Sequence, residues 1–247
     1  MVEGLGLVAS DLLELVLPSS CPGCGASSDR VRSPWCTPCA PIVKHRLVVP
    51  SPPPAGFPIT VRTGEYTDLL RVGILAHKDG TRRDLGADHA RALASAIRWV
   101  GWERNAVLVP VPSVSRARRR RGFDHTLDLA RRASSHLSGS RVIRAVRANA
   151  NAADHGGMTA AQRQSAPSAL RPARSGTRAF QRIPPDSHVI LVDDIATTGW
   201  TLTRAAAALR VVGVEVTGAV VVASTLLRSS ASVDSSGENF PPGAQRG

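Results

Sequence analysis

Short apolar runs alternate with longer amphipathic segments between about residues 60 and 226 of this chain. The apolar runs read AVLVPVP, RVIRAV, HVILVDD and VEVTGAVVVAS, and the helical candidates read RRDLGADHARALASAIRWV, DHTLDLARRASSHL and WTLTRAAAALRVVG. Strands buried on both faces of a sheet are continuously apolar, and helices connect such strands when they run parallel. The pattern therefore predicts an α/β fold, in which helices flank an open parallel sheet.

Other segments depart from this alternation. The Pro-rich stretch VVPSPPPAGFP predicts a linker or an irregular edge, because proline cannot donate to a strand ladder. The residues from about 147 to 180 show little periodicity, which is typical of a functional flap or of a poorly ordered segment. Helical spacing near the N-terminus predicts a short amphipathic helix through Leu5, Val8, Leu12, Leu15 and Val16. The predicted organisation is an N-terminal module at 1–45, a linker at 46–59, an α/β domain at 60–227 and a disordered tail at 228–247.

The charge of the chain favours partners that carry phosphate. Lysine and arginine number 31 against 19 acidic residues, a net charge of +12, and only Lys44 and Lys78 are lysines. The planar arginine fork suits bidentate contacts with phosphate. An Ala- and Arg-rich chain can also simply reflect the base composition of its genome. Charge therefore does not separate a nucleic-acid binder from an enzyme with a phosphorylated substrate.

No apolar run is long enough to span a bilayer, and the N-terminal stretch does not fit a signal peptide. The longest run, near VVGVEVTGAVVVAS, is interrupted by Glu215. The first twenty residues lack a basic leading region and include Glu3, Asp11 and Glu14. We expect a cytoplasmic protein.

All four cysteines lie in the N-terminal module. They form two Cys-x-x-Cys pairs separated by eleven residues: Cys21 with Cys24, and Cys36 with Cys39. Two such tight turns can close a tetrahedral tetrathiolate site, which favours a structural Zn²⁺ ion. Two disulfides, an iron–sulfur cluster and redox chemistry are the alternatives, and the missing signal peptide disfavours disulfides.

Two adjacent carboxylates follow the run HVILV. Asp193 and Asp194 come at the predicted end of a parallel strand, where ligands of open α/β sheets bind. The following threonine–glycine turn leads into a predicted helix, whose first amides can bind an anion. Gly199 leaves space where the chain approaches a ligand closely. This combination predicts a sugar phosphate, with the acids on vicinal hydroxyls or a Mg²⁺ ion and the turn on the phosphate.

Simpler readings of this stretch remain open. Asp194 can cap a turn and the threonines can cap the helix. The acidic strand end also resembles a Walker B strand, but the chain has no G-x-x-x-x-G-K-[ST] motif. An acid pair of the response-regulator type is a further alternative, although it would lie near the start of its domain.

The stretch VILVDDIATTGWT closely resembles the phosphoribosyl pyrophosphate (PRPP) binding motif of type I phosphoribosyltransferases. The resemblance implies that the catalytic residues Asp193 and Asp194 hold the ribose hydroxyls, while the turn binds the 5′-phosphate. The implied PRPP-binding set is Asp193, Asp194, Ala196, Thr197, Thr198, Gly199 and Thr201.

An arginine-rich loop follows the predicted strand VLVPVP. Its arginines are Arg116, Arg118, Arg119, Arg120 and Arg121. Their mutual repulsion would be relieved by a polyanion, and a plain basic run or nucleic-acid patch is the alternative reading. The stretch resembles the PVP…R…RGF-Asn-Gln pattern of ComF-type competence proteins, with Asp124 and His125 replacing Asn-Gln. The resemblance implies that the loop, together with Lys78 of Lys-Asp-Gly, binds pyrophosphate.

A third segment, DHGGMTAAQRQSAPSAL, is similar to the ComF pattern Gln-x-x-Leu-Ser-x-x-Glu-Arg-x-x-Asn. Met158, Thr159 and Arg163 align with that pattern, whereas its Gln, Glu and Asn are replaced. We interpret this segment as a lid over the substrate. His125 and His155 are candidate acid–base groups, but both fit surface histidines better.

The resemblance covers residues from about 5 to 226 and implies a type I phosphoribosyltransferase-like fold with an N-terminal zinc-ribbon-like module. It implies an enzyme that binds PRPP and Mg²⁺ and transfers the phosphoribosyl group to an unknown acceptor, releasing pyrophosphate. One alternative is a non-catalytic PRPP- or nucleotide-binding fold that acts in DNA uptake through single-stranded DNA or competence proteins. A regulator that senses PRPP is another.

Overall fold

The computed structural model describes residues 20–27, 33–43, 56–80, 82–112, 123–148 and 170–225. The helices are α1 (Asp68–Lys78), α2 (Leu85–Trp99), α3 (His125–Ser134), α4 (Arg174–Phe180) and α5 (Trp200–Arg210). The strands are β1 (Thr60–Glu65), β2 (Val107–Pro110), β3 (Arg141–Val142), β4 (Val146–Ala148), β5 (Leu170–Pro172), β6 (Val189–Ala196) and β7 (Gly218–Ser224).

Five strands form one parallel sheet in the order β1-β7-β6-β2-β3. The inner strand β7 is buried along its whole length, and β6 is buried at every position except the half-exposed Ile195. Such burial on both faces explains why these strands read as continuous apolar runs. The predicted α/β fold, an open parallel sheet flanked by helices, is confirmed.

Helices cover both faces of the sheet. Helices α1, α2 and α3 pack on one face and share a core with alternate strand residues. Helices α4 and α5 pack on the other face, where they contact the intervening strand residues. The first core includes Leu70, Ile74, Leu93, Leu129, Ile190 and Val220, and the second includes Phe180, Leu202, Leu209, Val109, Leu191 and Val221. Successive side chains of one strand therefore enter different cores.

Three details differ from the sequence expectations. The run RVIRAV is not one strand, because the Ala145 amide donates to the Ile143 carbonyl at 2.9 Å and this tight turn separates β3 from β4. Strand β4 pairs antiparallel with β5 in a second, two-stranded sheet. The stretch from 147 to 180 is not uniformly irregular, since it contains β5 and α4.

The order of the strands defines where the sheet can bind a ligand. Strands β2 and β6 are neighbours in the sheet. The other neighbour of β2 is β3, toward one edge of the sheet, and the other neighbour of β6 is β7, toward the opposite edge. The chain thus leaves these two strands in opposite directions. In open α/β sheets the crevice beyond the carboxyl ends of such a strand pair is the usual ligand site.

Several predicted features lie outside the described residues. They are the N-terminal helix, the linker up to residue 55, the five loop arginines, the lid residues Met158, Thr159 and Arg163 with His155, and the tail at 228–247. Among the helices that the structure does describe, none has both the length and the apolar composition needed to cross a bilayer.

Candidate functional site

The two carboxylates lie within β6 rather than after it. The strand continues to Ala196 on the side of β7, where Asp193 pairs with Val221. On the side of β2 the described pairing stops at Pro110, opposite Val192. The acid pair thus lies at the end of the pairing with β2, as expected, whereas the pairing with β7 continues past it. The carboxylates consequently lie beside the end of β2, in the crevice between β2 and β6.

Backbone amides fix both carboxylates, which are almost fully buried. Oδ1 of Asp193 accepts a hydrogen bond from the Asp194 amide at 2.9 Å, and Oδ1 of Asp194 accepts one from the Ile195 amide at 2.8 Å. Their residues are only 8% and 5% exposed. Each side chain is thus held by the peptide group that follows it, so its orientation is set by the strand itself.

Two basic side chains meet at Oδ2 of Asp194. Lys78 Nζ, at the end of α1, lies 3.0 Å away. His125 Nε2, at the start of α3, lies 3.2 Å away. The structure thus brings the sequence-predicted residues Lys78 and Asp194 together, and it adds His125 to them.

The interpretation of His125 as a surface histidine was wrong. The residue is 1% exposed and follows Asp124, which is the N-cap of α3. The Asp124 carboxylate accepts from the Leu127 amide at 3.2 Å, and this cap directs the first turn of α3 toward β6. The hint in the sequence was that Asp124 and His125 replace the Asn-Gln of the ComF pattern after the arginine loop.

The carboxylates have opposite acid–base properties. Burial and then the charge of Asp194 raise the pKa of Asp193 well above its usual value. Burial would also raise the pKa of Asp194, but the hydrogen bond with His125 and the charge of Lys78 outweigh it and keep that pKa below its usual value. The site therefore contains one strongly stabilised anion beside one carboxyl group that resists ionisation.

The turn after β6 leaves the start of α5 without a side-chain cap. Gly199 is the N-cap, with a φ of 74°, and it provides no capping side chain. Thr197, Thr198 and Thr201 are exposed. The alternative in which the threonines cap the helix is thus not realised, and the first-turn amides and hydroxyls are available to an anion.

Phe57 explains part of the requirement for glycine at position 199. A Cβ atom at that position would lie 2.7 Å from Phe57 Cδ2 and 3.1 Å from Cζ. Phe57 is buried just before β1 and belongs to the core beneath α5. The aromatic ring supports the turn from within the protein, a contact that the sequence analysis did not foresee.

The four cysteines form a second candidate site. Their sulfur atoms all lie within 4.8 Å of one another, and none of the four is in a disulfide. A tetrahedral Zn²⁺ site with Zn–S bonds of ~2.3 Å places its sulfurs ~3.8 Å apart. The chemistry also fits, because the Cys36 sulfur and burial raise the pKa of the Cys39 thiol to about 12. A dication would relieve this repulsion between neighbouring thiolates.

The cysteine module packs on α1 and α2. Cys21, Cys36 and Cys39 belong to the same buried core as the sheet. The Trp35 indole donates to Asp88 at 3.2 Å and lies over Gly73, where a Cβ atom would come 2.8 Å from the ring. The module and the α/β domain are therefore stabilised by one shared core.

Comparison with known families supports the class that this fold and site define. Residues 123–235 match the family model of the phosphoribosyl transferase domain, which is less than half of the chain. The matched range contains β6, the acid pair, the threonine turn and His125, whereas β1, β2 and Lys78 precede it. Among curated proteins none matches the chain. The similarity supports phosphoribosyl transfer as the general class of activity.

Proposed function

We propose that the protein is a type I phosphoribosyltransferase that binds PRPP with Mg²⁺ and transfers its phosphoribosyl group to an acceptor. The observation that carries this proposal is the meeting of Lys78, His125 and Asp194 beside Asp193, in the crevice between β2 and β6. Buried acidic groups in a crevice whose pKa values are strongly shifted by burial and charged neighbours are typical of functional sites.

The ribose and the 5′-phosphate of PRPP would occupy adjoining parts of this site. The carboxyl oxygens of Asp193 and Asp194 accept hydrogen bonds from vicinal ribose hydroxyls. The uncapped amides at the start of α5 and the exposed hydroxyls of Thr197, Thr198 and Thr201 donate to the phosphate. One strand–turn–helix unit therefore holds both ends of a ribose phosphate.

The transfer itself needs positioning and charge neutralisation more than a covalent role for the protein. The bond from C1 to the pyrophosphate oxygen breaks with its electron pair on pyrophosphate, and the acceptor forms a new bond to C1 and loses one proton. Positive charge develops at the sugar as the bonds exchange. The buried Asp194 anion is fixed close to this charge, and Lys78 with the arginines after β2 would neutralise the leaving group.

The acid pair fits a Mg²⁺ ion that is bound mainly by its substrate. Carboxylate oxygens suit Mg²⁺, which usually takes only one or two of them together with phosphate oxygens. Both oxygens of Asp194 already have protein partners, since Oδ1 accepts from Ile195 and Oδ2 lies beside Lys78 and His125. The chemistry that a bound Mg²⁺ supplies is neutralisation of the pyrophosphate charge.

We further propose that the protein is of the ComF type and that its cysteine module holds a structural Zn²⁺ ion. The support for zinc is the convergence of four thiols with no open coordination position. The support for the ComF type is the sequence resemblance, in which the module, the arginine loop and the PRPP motif occur in this order.

Pyrophosphate release from PRPP and Mg²⁺ tests the proposed function. The full-length protein would be assayed against a panel of nucleobases, amines and single-stranded DNA, with an Asp193→Asn/Asp194→Asn variant as the control. We expect release with one acceptor class and none from the variant. Calorimetry that shows no PRPP binding by the wild-type protein would rule the proposal out, and PRPP binding without release would indicate a sensor.

A further inference from the structure

A second acid–base pair joins the two helices that contact Asp194. His77 Nε2, on α1, lies 3.2 Å from Asp128 Oδ2, on α3. His77 is 1% exposed, so the contact is shielded from water on its α1 side. Lys78 follows His77 in sequence, and His125 precedes Asp128 by one helical turn. The pair therefore connects the two helices that each supply one partner of Asp194.

Neighbouring groups enclose this pair closely. At Gly86 of α2 a Cβ atom would lie 2.7 Å from His77 Nε2 and 2.8 Å from Asp128 Oδ2, so α2 passes over the contact without a side chain. The Phe123 ring packs edge-on against His77, with centroids 5.5 Å apart. Arg132 Nε donates to the same oxygen of Asp128 at 2.8 Å. With these three groups around it, the pair has little freedom to shift.

Asp128 supplies a negative charge to its contact with His77. Burial would raise the pKa of Asp128, but the hydrogen bonds with His77 and Arg132 outweigh it and lower that pKa. Asp128 is therefore anionic under ordinary conditions. A partly buried hydrogen bond to an anion is directional, which makes it suitable for fixing the register of two helices.

We propose that His77 and Asp128 are positioning residues, which align α1 with α3 so that Lys78 and His125 converge on Oδ2 of Asp194. This inference rests on the proposed function, because it assigns the alignment a purpose: to orient Asp194 for the ribose of PRPP. Neither residue touches the substrate. If α1 slid along α3, Lys78 and His125 would move relative to β6 and Asp194 would lose one or both partners.

The experiment uses full-length Asp128→Asn, which keeps the shape of the side chain and removes its charge, and His77→Gln as a second variant. Ala133→Gly is the matched control, because it weakens the same helix at a buried position away from the pair. NMR of the ligand-free proteins would follow the His125 imidazole and the Lys78 ammonium. Calorimetry would measure the affinity for PRPP with Mg²⁺.

We expect both signals to shift in the two pair variants and not in the control, with PRPP affinity about fivefold to tenfold lower in the pair variants. Unchanged signals in both pair variants would overturn the proposal, whether or not the wild type binds PRPP. Shifted signals with unchanged affinity would overturn it too, since the alignment would then not serve the ligand. Absence of PRPP binding by the wild type would refute the proposed function, and the NMR comparison would still decide whether the pair aligns the helices.

Discussion

Lys78 Nζ lies 3.0 Å from Oδ2 of Asp194, and this contact joins the end of α1 to the carboxyl half of β6. Lys78 precedes the residues that match the phosphoribosyl transferase domain, whereas Asp194 lies within them. The site is thus assembled from parts of the chain that are distant in sequence.

The Lys78→Met substitution tests how much this ion pair matters for the ligand. Asp194 would keep His125 as its partner but lose a fixed positive charge beside a buried carboxylate. Removing one member of a buried charge pair is worth about 2 kcal/mol or more, so we expect PRPP to bind at least about tenfold more weakly. Isothermal calorimetry measures this.

The matched control for that substitution is Arg91→Met. Arg91 forms an exposed pair with Asp88 at 3.2 Å, and exposed pairs contribute only about 0–1 kcal/mol. Equal PRPP affinities in the two variants would contradict a role for Lys78 in the site.

Asp193→Asn should stabilise the protein at neutral pH. Because the pKa of Asp193 is raised in the folded state, that state holds the proton more tightly than the unfolded chain does. The stability from this residue is therefore complete below the unfolded pKa of about 3.9 and is lost as the pH rises through the folded value. The asparagine amide has no such proton to lose, so the gain in melting temperature should grow as the pH rises.

Thermal melts over a series of pH values check this sign. Asp186→Asn is the control, because its side chain is 58% exposed and no such gain is expected from it. A melting temperature for Asp193→Asn that stays below that of the wild type at every pH would show that burial does not penalise the Asp193 anion.

Gly199→Ala should destabilise the turn for two separable reasons. The φ of 74° disfavours any Cβ atom, and the Phe57 ring occupies the space that the atom needs. Together these effects predict a loss of about 2 kcal/mol or more in the free energy of unfolding, measured with denaturant.

Gly213→Ala separates the two reasons. Its φ is 75°, but nothing lies within 4 Å of the position of a Cβ atom there. Gly213→Ala should therefore show only the backbone penalty. Gly199→Ala should lower the free energy of unfolding by less in a Phe57→Ala background than in the wild type, because the ring is then absent. Equal losses of unfolding free energy at the two glycines would mean that the Phe57 ring moves aside at no cost in stability.

His125→Gln should preserve the site and His125→Leu should damage it. A glutamine amide can still donate to Asp194, whereas leucine leaves the buried oxygen with Lys78 alone. Loss of a polar partner beside a buried carboxylate costs about 1–3 kcal/mol, so the leucine variant should bind PRPP about tenfold more weakly. His136→Leu, at an exposed histidine, is the control, and calorimetry would rank the three variants.

Removal of zinc should lower the stability of the whole protein and not only of the cysteine module. Cys36→Ser loses one thiolate ligand, and Cys36 lies in the core shared with α1 and α2. We expect less than one zinc per chain by native mass spectrometry and a fall in melting temperature of about 5 °C or more. Chelation of the wild type should reproduce the fall, and Zn²⁺ but not Mg²⁺ should reverse it. Two disulfides in the purified protein would contradict a metal site.

Local sequence patterns were enough to predict the central strands and the longer helices. The apolar runs of β6 and β7 predicted buried parallel strands, and helical spacing predicted α2, α3 and α5. Strand β1 was harder to find, because its buried positions include the polar residues Arg62 and Thr63. Their side chains donate to backbone carbonyl groups of β7. Helix α4 has only seven residues, too few for a clear period.

The candidate site also has a part that local sequence patterns predict and a part that depends on tertiary packing. The acid pair and its turn are contiguous, so the sequence alone could indicate them. The burial of His125 and its contact with Asp194 depend on how α3 docks against β6, which no local pattern encodes. The contact between Phe57 and Gly199 is equally non-local. Residues that complete a site from other elements are thus the ones that a sequence pattern leaves out.

The position of β7 has a consequence for synthesis of the chain. This strand, the last of those described, lies between β1, the first, and β6. Until β7 leaves the ribosome, β1 and β6 each present an unpaired edge, and the acid pair lacks one side of its strand. Such long-range pairing forms slowly and exposes edges to aggregation. The nascent protein should therefore remain prone to aggregation until β7 has emerged and paired with both strands.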